Sequence, residues 1–124
     1  MPIEIHAVHH VQITVAKEDE EACRHFYGTI LRLPVIPKPE NLLRNRGAWY
    51  LLGEVELHLS IEANAENRAS KRHVCYLVED LNVAEKVFRH HEVEIIPDDQ
   101  PILGMVRFYV RDPGGNRVEI AQRL

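Results

Sequence analysis

The chain consists of two similar halves, and this internal repeat constrains its fold more than any other feature of the sequence. The segment HVQITV at 10–15 recurs as HVCYLV at 73–78, and VEL at 55–57 recurs as VEI at 118–120, both after 63 residues. Between these two strand-like segments, each half carries a helical pattern followed by short β-branched and aromatic runs. Each half is therefore predicted to fold as strand, helix, strand, strand, strand.

Turn-forming residues indicate how the halves are divided and connected. The first half spans about residues 6–63 and the second about 71–124, with the polar stretch 64–70 as a predicted linker. The run DPGGN at 112–116 predicts a turn between the last two strands, and Gly53 takes that place in the first half. Either sheet alone would leave one face uncovered, so the whole chain, 1–124, is predicted to form one α+β domain.

The composition excludes several classes of protein. Hydrophobic residues make up 45% and charged residues 27% of the chain, a balance typical of a soluble globular domain. The net charge of −4, with both signs mixed along the sequence, argues against a nucleic-acid-binding face. There is neither an apolar run of about 18 residues for a membrane span nor a signal-peptide pattern at the N-terminus. The two cysteines show no disulfide spacing, so the expected location is the reducing cytoplasm.

Residues of metal-ligand type recur at equivalent positions of the two halves. His10 corresponds to His73, and Glu56 corresponds to Glu119. Strand alternation places all four on polar faces, opposite the apolar residues that pack under the helices. If a pseudo-twofold axis relates the halves, two imidazoles and two carboxylates converge near it, a set that suits Zn, Ni, Fe, Mn or Co. The competing interpretation is that these faces are the solvated side of an antiparallel sheet.

The fourth ligand has two candidates. His58 lies two residues after Glu56 and therefore on the same face of the strand. The repeat favours Glu56 as the ligand, which leaves His58 as a substrate contact, a partner of a ligand or an acid/base. Imidazole is a better ligand than carboxylate for a borderline metal. The alternative is therefore that His58 is the ligand and that Glu56 is a base or faces solvent.

Three further side chains of the second half are candidates for the site. Arg107 and Tyr109 share a face of one strand and are predicted to contact an anionic part of a substrate, with rim positions as the alternative. Cys75 follows His73 by two residues and so faces the same way. A small packed thiol is a commoner role for such a cysteine than a nucleophile.

The order and spacing of these motifs resemble the vicinal oxygen chelate superfamily over nearly the whole chain. The superfamily includes glyoxalase I, fosfomycin- and bleomycin-resistance proteins and extradiol dioxygenases. The similar segments are HVQI at 10–13, FYGTILRLP at 26–34, ELHL at 56–59 and FYVRDPGGNRVE at 108–119. The resemblance implies paired βαβββ modules whose mixed sheets form a cup with helices outside, commonly in a homodimer.

The resemblance also implies a function and roles for particular residues. His10, Glu56, His73 and Glu119 match the metal-ligand quartet of bacterial glyoxalase I. The implied activity is that of an enzyme whose divalent metal chelates two neighbouring oxygens of a small substrate and stabilises an enolate-type anion. Glu56, Glu119 or His58 would move the proton. A lyase or isomerase and a ring-opening dioxygenase both fit.

Departures from the resemblance narrow these expectations. Thr14 stands where glyoxalase I is expected to have a glutathione-contacting arginine, and HLS at 58–60 replaces its TYN stretch. Glutathione hemithioacetal is therefore not the expected substrate. The alternative function is that of a metal-free binding protein that sequesters a small molecule, as bleomycin-resistance proteins do.

Overall fold

Each half of the chain forms its own four-stranded mixed sheet in the computed structural model, which describes residues 1–124. Both halves follow the order predicted from the repeat, so the α+β fold of paired βαβββ units is confirmed. The longest helix has ten residues, and no helix could cross a membrane. The elements are β1 (His10–Val15), α1 (Glu20–His25), β2 (Val35–Ile36), β3 (Ala48–Leu52), β4 (Val55–Ile61), β5 (His73–Leu77), α2 (Leu81–His90), β6 (Ile96–Pro97), β7 (Met105–Arg111) and β8 (Arg117–Arg123).

The two sheets have the same topology but not the same register. Their strand orders are β1-β4-β3-β2 and β5-β8-β7-β6, and in each sheet the first and last strands of the half are parallel neighbours. In the first sheet His10 lies opposite Glu56. In the second sheet Cys75, and not His73, lies opposite Glu119. This shift of two residues keeps His73 on the same face as Glu119, because strand side chains alternate with a period of two.

A single hydrophobic core joins the two halves. The first helical segment continues beyond α1 as a π-helical turn at Phe26–Ile30, which buries Phe26 and Tyr27. Helix α2 begins after Asp80, whose carboxylate accepts hydrogen bonds from the backbone N–H groups of the first turn. Phe88 of α2 packs between Phe26 and Phe108, with ring centroids about 6 Å apart on both sides. The helical segments of the two halves therefore contact each other through Phe26 and Phe88.

The stretch 64–70, predicted as a polar linker, contains a buried tie between the halves. Asn67 is 5% exposed, and its Nδ2 donates to the carbonyls of Thr14 at 2.8 Å and Gly114 at 3.0 Å. Asn116 donates to the same Thr14 carbonyl at 3.1 Å. The end of β1 is thus bonded both to the connecting segment and to the turn between β7 and β8.

The loop before β3 is fixed by a buried carboxylate and by a glycine. Glu20 accepts hydrogen bonds from Arg46 Nε and from the backbone N–H of Gly47, both at 2.6 Å. Gly47 has a φ of +94°, and a Cβ there would collide with the backbone carbonyl of Leu59. Only glycine permits this close approach of the loop to β4.

Replacing Gly47 with alanine is expected to lower the free energy of unfolding by about 3 kcal/mol, because it adds a backbone collision to left-handed strain. The matched control is Gly53→Ala, where φ is +61° and no atom lies within 4 Å of the added Cβ. That change is expected to cost only about 1 kcal/mol. Urea unfolding of both variants measures the difference, and equal losses would show that the collision is relieved cheaply.

Glu20 should make stability depend on pH. Burial alone would raise its pKa, but the hydrogen bonds from Gly47 and Arg46 outweigh burial, and the net pKa is lowered from 4.5. A lowered folded-state pKa means that the carboxylate stabilises the fold above the ordinary value and loses that effect as pH falls through the folded pKa. Glu20→Gln should therefore be less stable than the parent at neutral pH, with the gap closing in acid. Urea midpoints across a pH series test this, and a gap that stays constant into acid would contradict it.

Candidate functional site

The residues predicted as ligands lie in two groups on the polar faces of two different sheets. His10, Glu56 and His58 belong to the first sheet, and His73 and Glu119 to the second. No group of three or more His, Cys, Asp or Glu side chains in the chain is arranged to hold a metal ion. Within one chain, therefore, the four side chains do not converge near the pseudo-twofold axis.

The first group is organised by a stack of three rings. The Trp49 and His58 rings are parallel within 2°, with centroids 3.8 Å apart, and the His10 ring lies on the other side of His58 at 4.2 Å. His58 is 4% exposed, and its Nε2 lies 2.9 Å from Glu56 Oε1. This hydrogen bond is the main cause that lowers the pKa of Glu56. A carboxylate can only accept this hydrogen bond, so His58 Nε2 is the donor.

The second group has an imidazole whose orientation is fixed by the backbone. His73 Nδ1 lies 2.9 Å from the backbone carbonyl of Lys71, so the ring donates Nδ1–H to that oxygen. His73 Nε2 lies 3.0 Å from Glu119 Oε1. Metal-binding histidines commonly donate the distal N–H to a carbonyl, which fixes the ring and frees the other nitrogen.

Arg107 holds Glu119 and is itself enclosed by protein acceptors. Its guanidinium lies 3.4 Å from Glu119 Oε2 and 3.1 Å from Asp98 Oδ2, and it donates to the carbonyl of Gln100 at 2.7 Å. Tyr109 is 7% exposed, and its ring is covered by the guanidinium of Arg117, 4.0 Å from the centroid. Both predicted substrate contacts thus already have protein partners. Their roles toward a substrate stay predictions.

Cys75 is not prepared for nucleophilic attack. Desolvation of the thiol, followed by the negative charge of Glu119, raises its pKa to about 11. A reactive cysteine needs the opposite environment, because the thiolate is the nucleophile.

Sequence reasoning left Trp49 out of the site. Trp49 lies opposite His58 across the antiparallel pair β3 and β4, which puts the two rings on one face of the sheet. The aromatic run AWY before Gly53 indicated only a strand. The register of that hairpin, had it been assigned from the Gly53 turn, is the signal that would have brought Trp49 into the site.

Comparisons with known proteins decide the family. The profile of the Glyoxalase/Bleomycin resistance protein/Dioxygenase superfamily matches residues 7–120. The chain belongs to this superfamily. A crystal structure of a Bacillus anthracis protein assigned to the glyoxalase family covers all of both chains, with 32% identity and a TM-score of 0.89. No curated protein matches the sequence.

More distant structures share the superfamily fold. A lactoylglutathione lyase from Agrobacterium tumefaciens is 20% identical, with a TM-score of 0.73 over 96% of this chain and 95% of that one. The fosfomycin resistance protein FosX from Listeria monocytogenes is 13% identical, with a TM-score of 0.77 over 94% and 91%. At such identities the likeness concerns the fold alone, and the superfamily hosts more than one reaction.

The position of Cys75 beside Glu119 can be tested by alkylation. Glu119→Gln removes a negative charge, so it should lower the pKa of Cys75 and speed its reaction with iodoacetamide near neutral pH. Glu66→Gln, a carboxylate of the connecting segment, is the control for net charge. The pH dependence of the alkylation rate in metal-free protein measures the shift. Identical profiles for the parent and Glu119→Gln would contradict the contact.

Proposed function

We propose that this chain is a divalent-metal-dependent enzyme whose site is completed by a second copy of the chain. His10 and Glu56 of one copy and His73 and Glu119 of the other would hold the metal, which is Zn, Ni, Fe, Mn or Co. The observation that carries the proposal is the His73–Glu119 pair, with Nδ1 bonded to a carbonyl and Nε2 facing the carboxylate at 3.0 Å. That is the donor arrangement of a metal-binding histidine with its supporting partner.

The donor chemistry fits a divalent metal only when two groups are combined. Each sheet supplies imidazole and carboxylate donors, but protein sites for such metals generally use three or four ligands. The polar faces that carry them are open, as shown by Leu51 and Leu77, two apolar residues on these faces that are 40% and 51% exposed. A symmetric dimer would bring the first group of each copy to the second group of the other, which gives two equivalent sites.

The proposed substrate is a small molecule with two neighbouring oxygens. When bound, the metal would polarise these oxygens and stabilise the enolate-type anion left by loss of a proton from the adjacent carbon. A lyase or isomerase fits this chemistry, and so does a ring-opening dioxygenase. The alternative is a metal-free binding protein, which would capture its ligand without turnover. The metal content of the untagged protein distinguishes the two functions.

The two carboxylates are suited to different tasks. Glu119 is 6% exposed at its side chain and is held by His73 and Arg107, so it is suited to a fixed position. The Glu56 side chain is 24% exposed, and its contact within the chain is the one from His58 to Oε1. The Oε2 atom of Glu56 is therefore the proposed acceptor of the substrate proton, with His58 keeping the carboxylate oriented.

Metal content tests the proposal directly. Untagged protein is expected to contain close to one divalent metal per chain, and His10→Ala or His73→Ala should lose it. His90→Ala, which removes an imidazole outside both groups, is the control and should keep full occupancy. Metal content that is the same in the parent, His10→Ala and His73→Ala would contradict the assignment.

Mixing the two variants that are expected to lose metal, His10→Ala and His73→Ala, tests whether two copies share each site. A heterodimer of His10→Ala and His73→Ala chains has one doubly damaged site and one intact site. Random reassembly of an equimolar mixture should therefore restore metal to about a quarter of the sites. Elemental analysis after dialysis measures the occupancy. A mixture that binds no more metal than the separate variants would show that each site lies within one chain.

A further inference from the structure

The position of His58 in the ring stack limits which histidines can bind the metal together. The His58 and His10 rings are parallel within 13°, with centroids 4.2 Å apart. An imidazole binds a metal through a nitrogen lone pair that lies in the plane of the ring. Lone pairs in two nearly parallel, stacked planes do not point to a common atom. His58 and His10 therefore cannot both bind one metal in this arrangement.

Trp49 and Glu56 account for the rest of the His58 environment. The indole ring covers the face of His58 that His10 leaves free, at 3.8 Å and within 2° of parallel. The ring cannot tilt without losing both stacking contacts, and its edge is directed so that Nε2 meets Glu56 Oε1 at 2.9 Å. With 4% of its surface exposed, His58 is enclosed by these neighbours.

The second half supports Glu119 from a different position. The residue that corresponds to His58 in the repeat is Ala121, which has no polar side chain. There the supporting group is Arg107 of β7, 3.4 Å from Glu119 and fixed by Asp98. Each carboxylate thus has a supporting side chain from its own half, His58 for Glu56 and Arg107 for Glu119.

We infer that His58 is a positioning residue: clamped between Trp49 and His10, it orients the Glu56 carboxylate through Nε2 and does not bind the metal. This inference rests on the proposed metal site. It assigns the fourth ligand position to Glu56 and makes Trp49 part of the support of the site. Removing a group that orients a metal ligand typically weakens metal binding 10- to 100-fold, whereas removing a ligand weakens it more and changes the coordination.

The experiment titrates metal-free protein with Co²⁺ alone, using a competing chelator for the affinity and the visible absorption spectrum for the coordination. His58→Ala is expected to weaken Co²⁺ binding about 10- to 100-fold with unchanged absorption bands. His58→Gln restores an N–H donor and should recover most of the loss. Trp49→Ala should weaken binding as His58→Ala does, whereas Trp49→Phe keeps a stacking ring and should bind nearly as the parent does.

The controls distinguish failure of this inference from failure of the proposed function. If His58→Ala loses Co²⁺ as completely as His10→Ala and changes the spectrum, His58 is a ligand and the inference is wrong. Unchanged affinity in both His58→Ala and Trp49→Ala also overturns it. If His58→Ala does not fold, the affinity and spectrum of Trp49→Ala decide in the same way. Equal Co²⁺ binding by the parent, His10→Ala and His73→Ala would instead refute the metal site itself.

Discussion

The buried carboxylate of Asp112 sets the relation between the two halves, on which the arrangement of everything else depends. Its Oδ2 accepts a hydrogen bond from the hydroxyl of Tyr27 at 2.6 Å, and its two oxygens accept two more from Asn116. Tyr27 belongs to the helical segment of the first half, and Asp112 begins the last turn of the second. Burial raises the pKa of Asp112, and the hydrogen bonds from Tyr27 and Asn116 oppose this effect. These hydrogen bonds stabilise the carboxyl group in its buried position. Removing one of these side chains would leave the remaining buried polar groups without a hydrogen-bond partner.

This junction also decides which way the two polar faces are presented. The turn that contains Asp112 packs against the end of β1, where a Cβ on Gly114 would collide with Val15. Asn67 and Asn116 then share the carbonyl of Thr14. Since β1 and β8 carry His10 and Glu119, the junction fixes the spacing of the two groups of donors. A junction that keeps the two groups apart is what the proposed site, completed by a second copy, requires.

Much of the architecture was predictable because it depends on local and repeated patterns. The period-two alternation of β1 and β4 put His10, Glu56 and His58 on one face, and the structure places them there. The repeat likewise predicted the order of strands and helix in each half. It did not predict the two-residue shift that puts Cys75 opposite Glu119, because a shift by an even number of residues leaves the hydrophobic pattern unchanged. Nor did composition distinguish Asn67, a buried tie, from its solvated neighbours in the connecting segment.

The sequence by itself determined the fold, the polar faces and the kinds of side chain on them, since these follow from periodicities that each strand carries alone. Only the tertiary structure decided which of those side chains meet. Trp49 and His58 stack because they lie opposite each other on β3 and β4, and the His10 ring reaches His58 diagonally from the neighbouring strand β1. Arg107 likewise reaches Glu119 from a neighbouring strand. The grouping of the donors into two sets follows from the packing of one half on the other. Such contacts depend on register and on long-range packing, which no local pattern encodes.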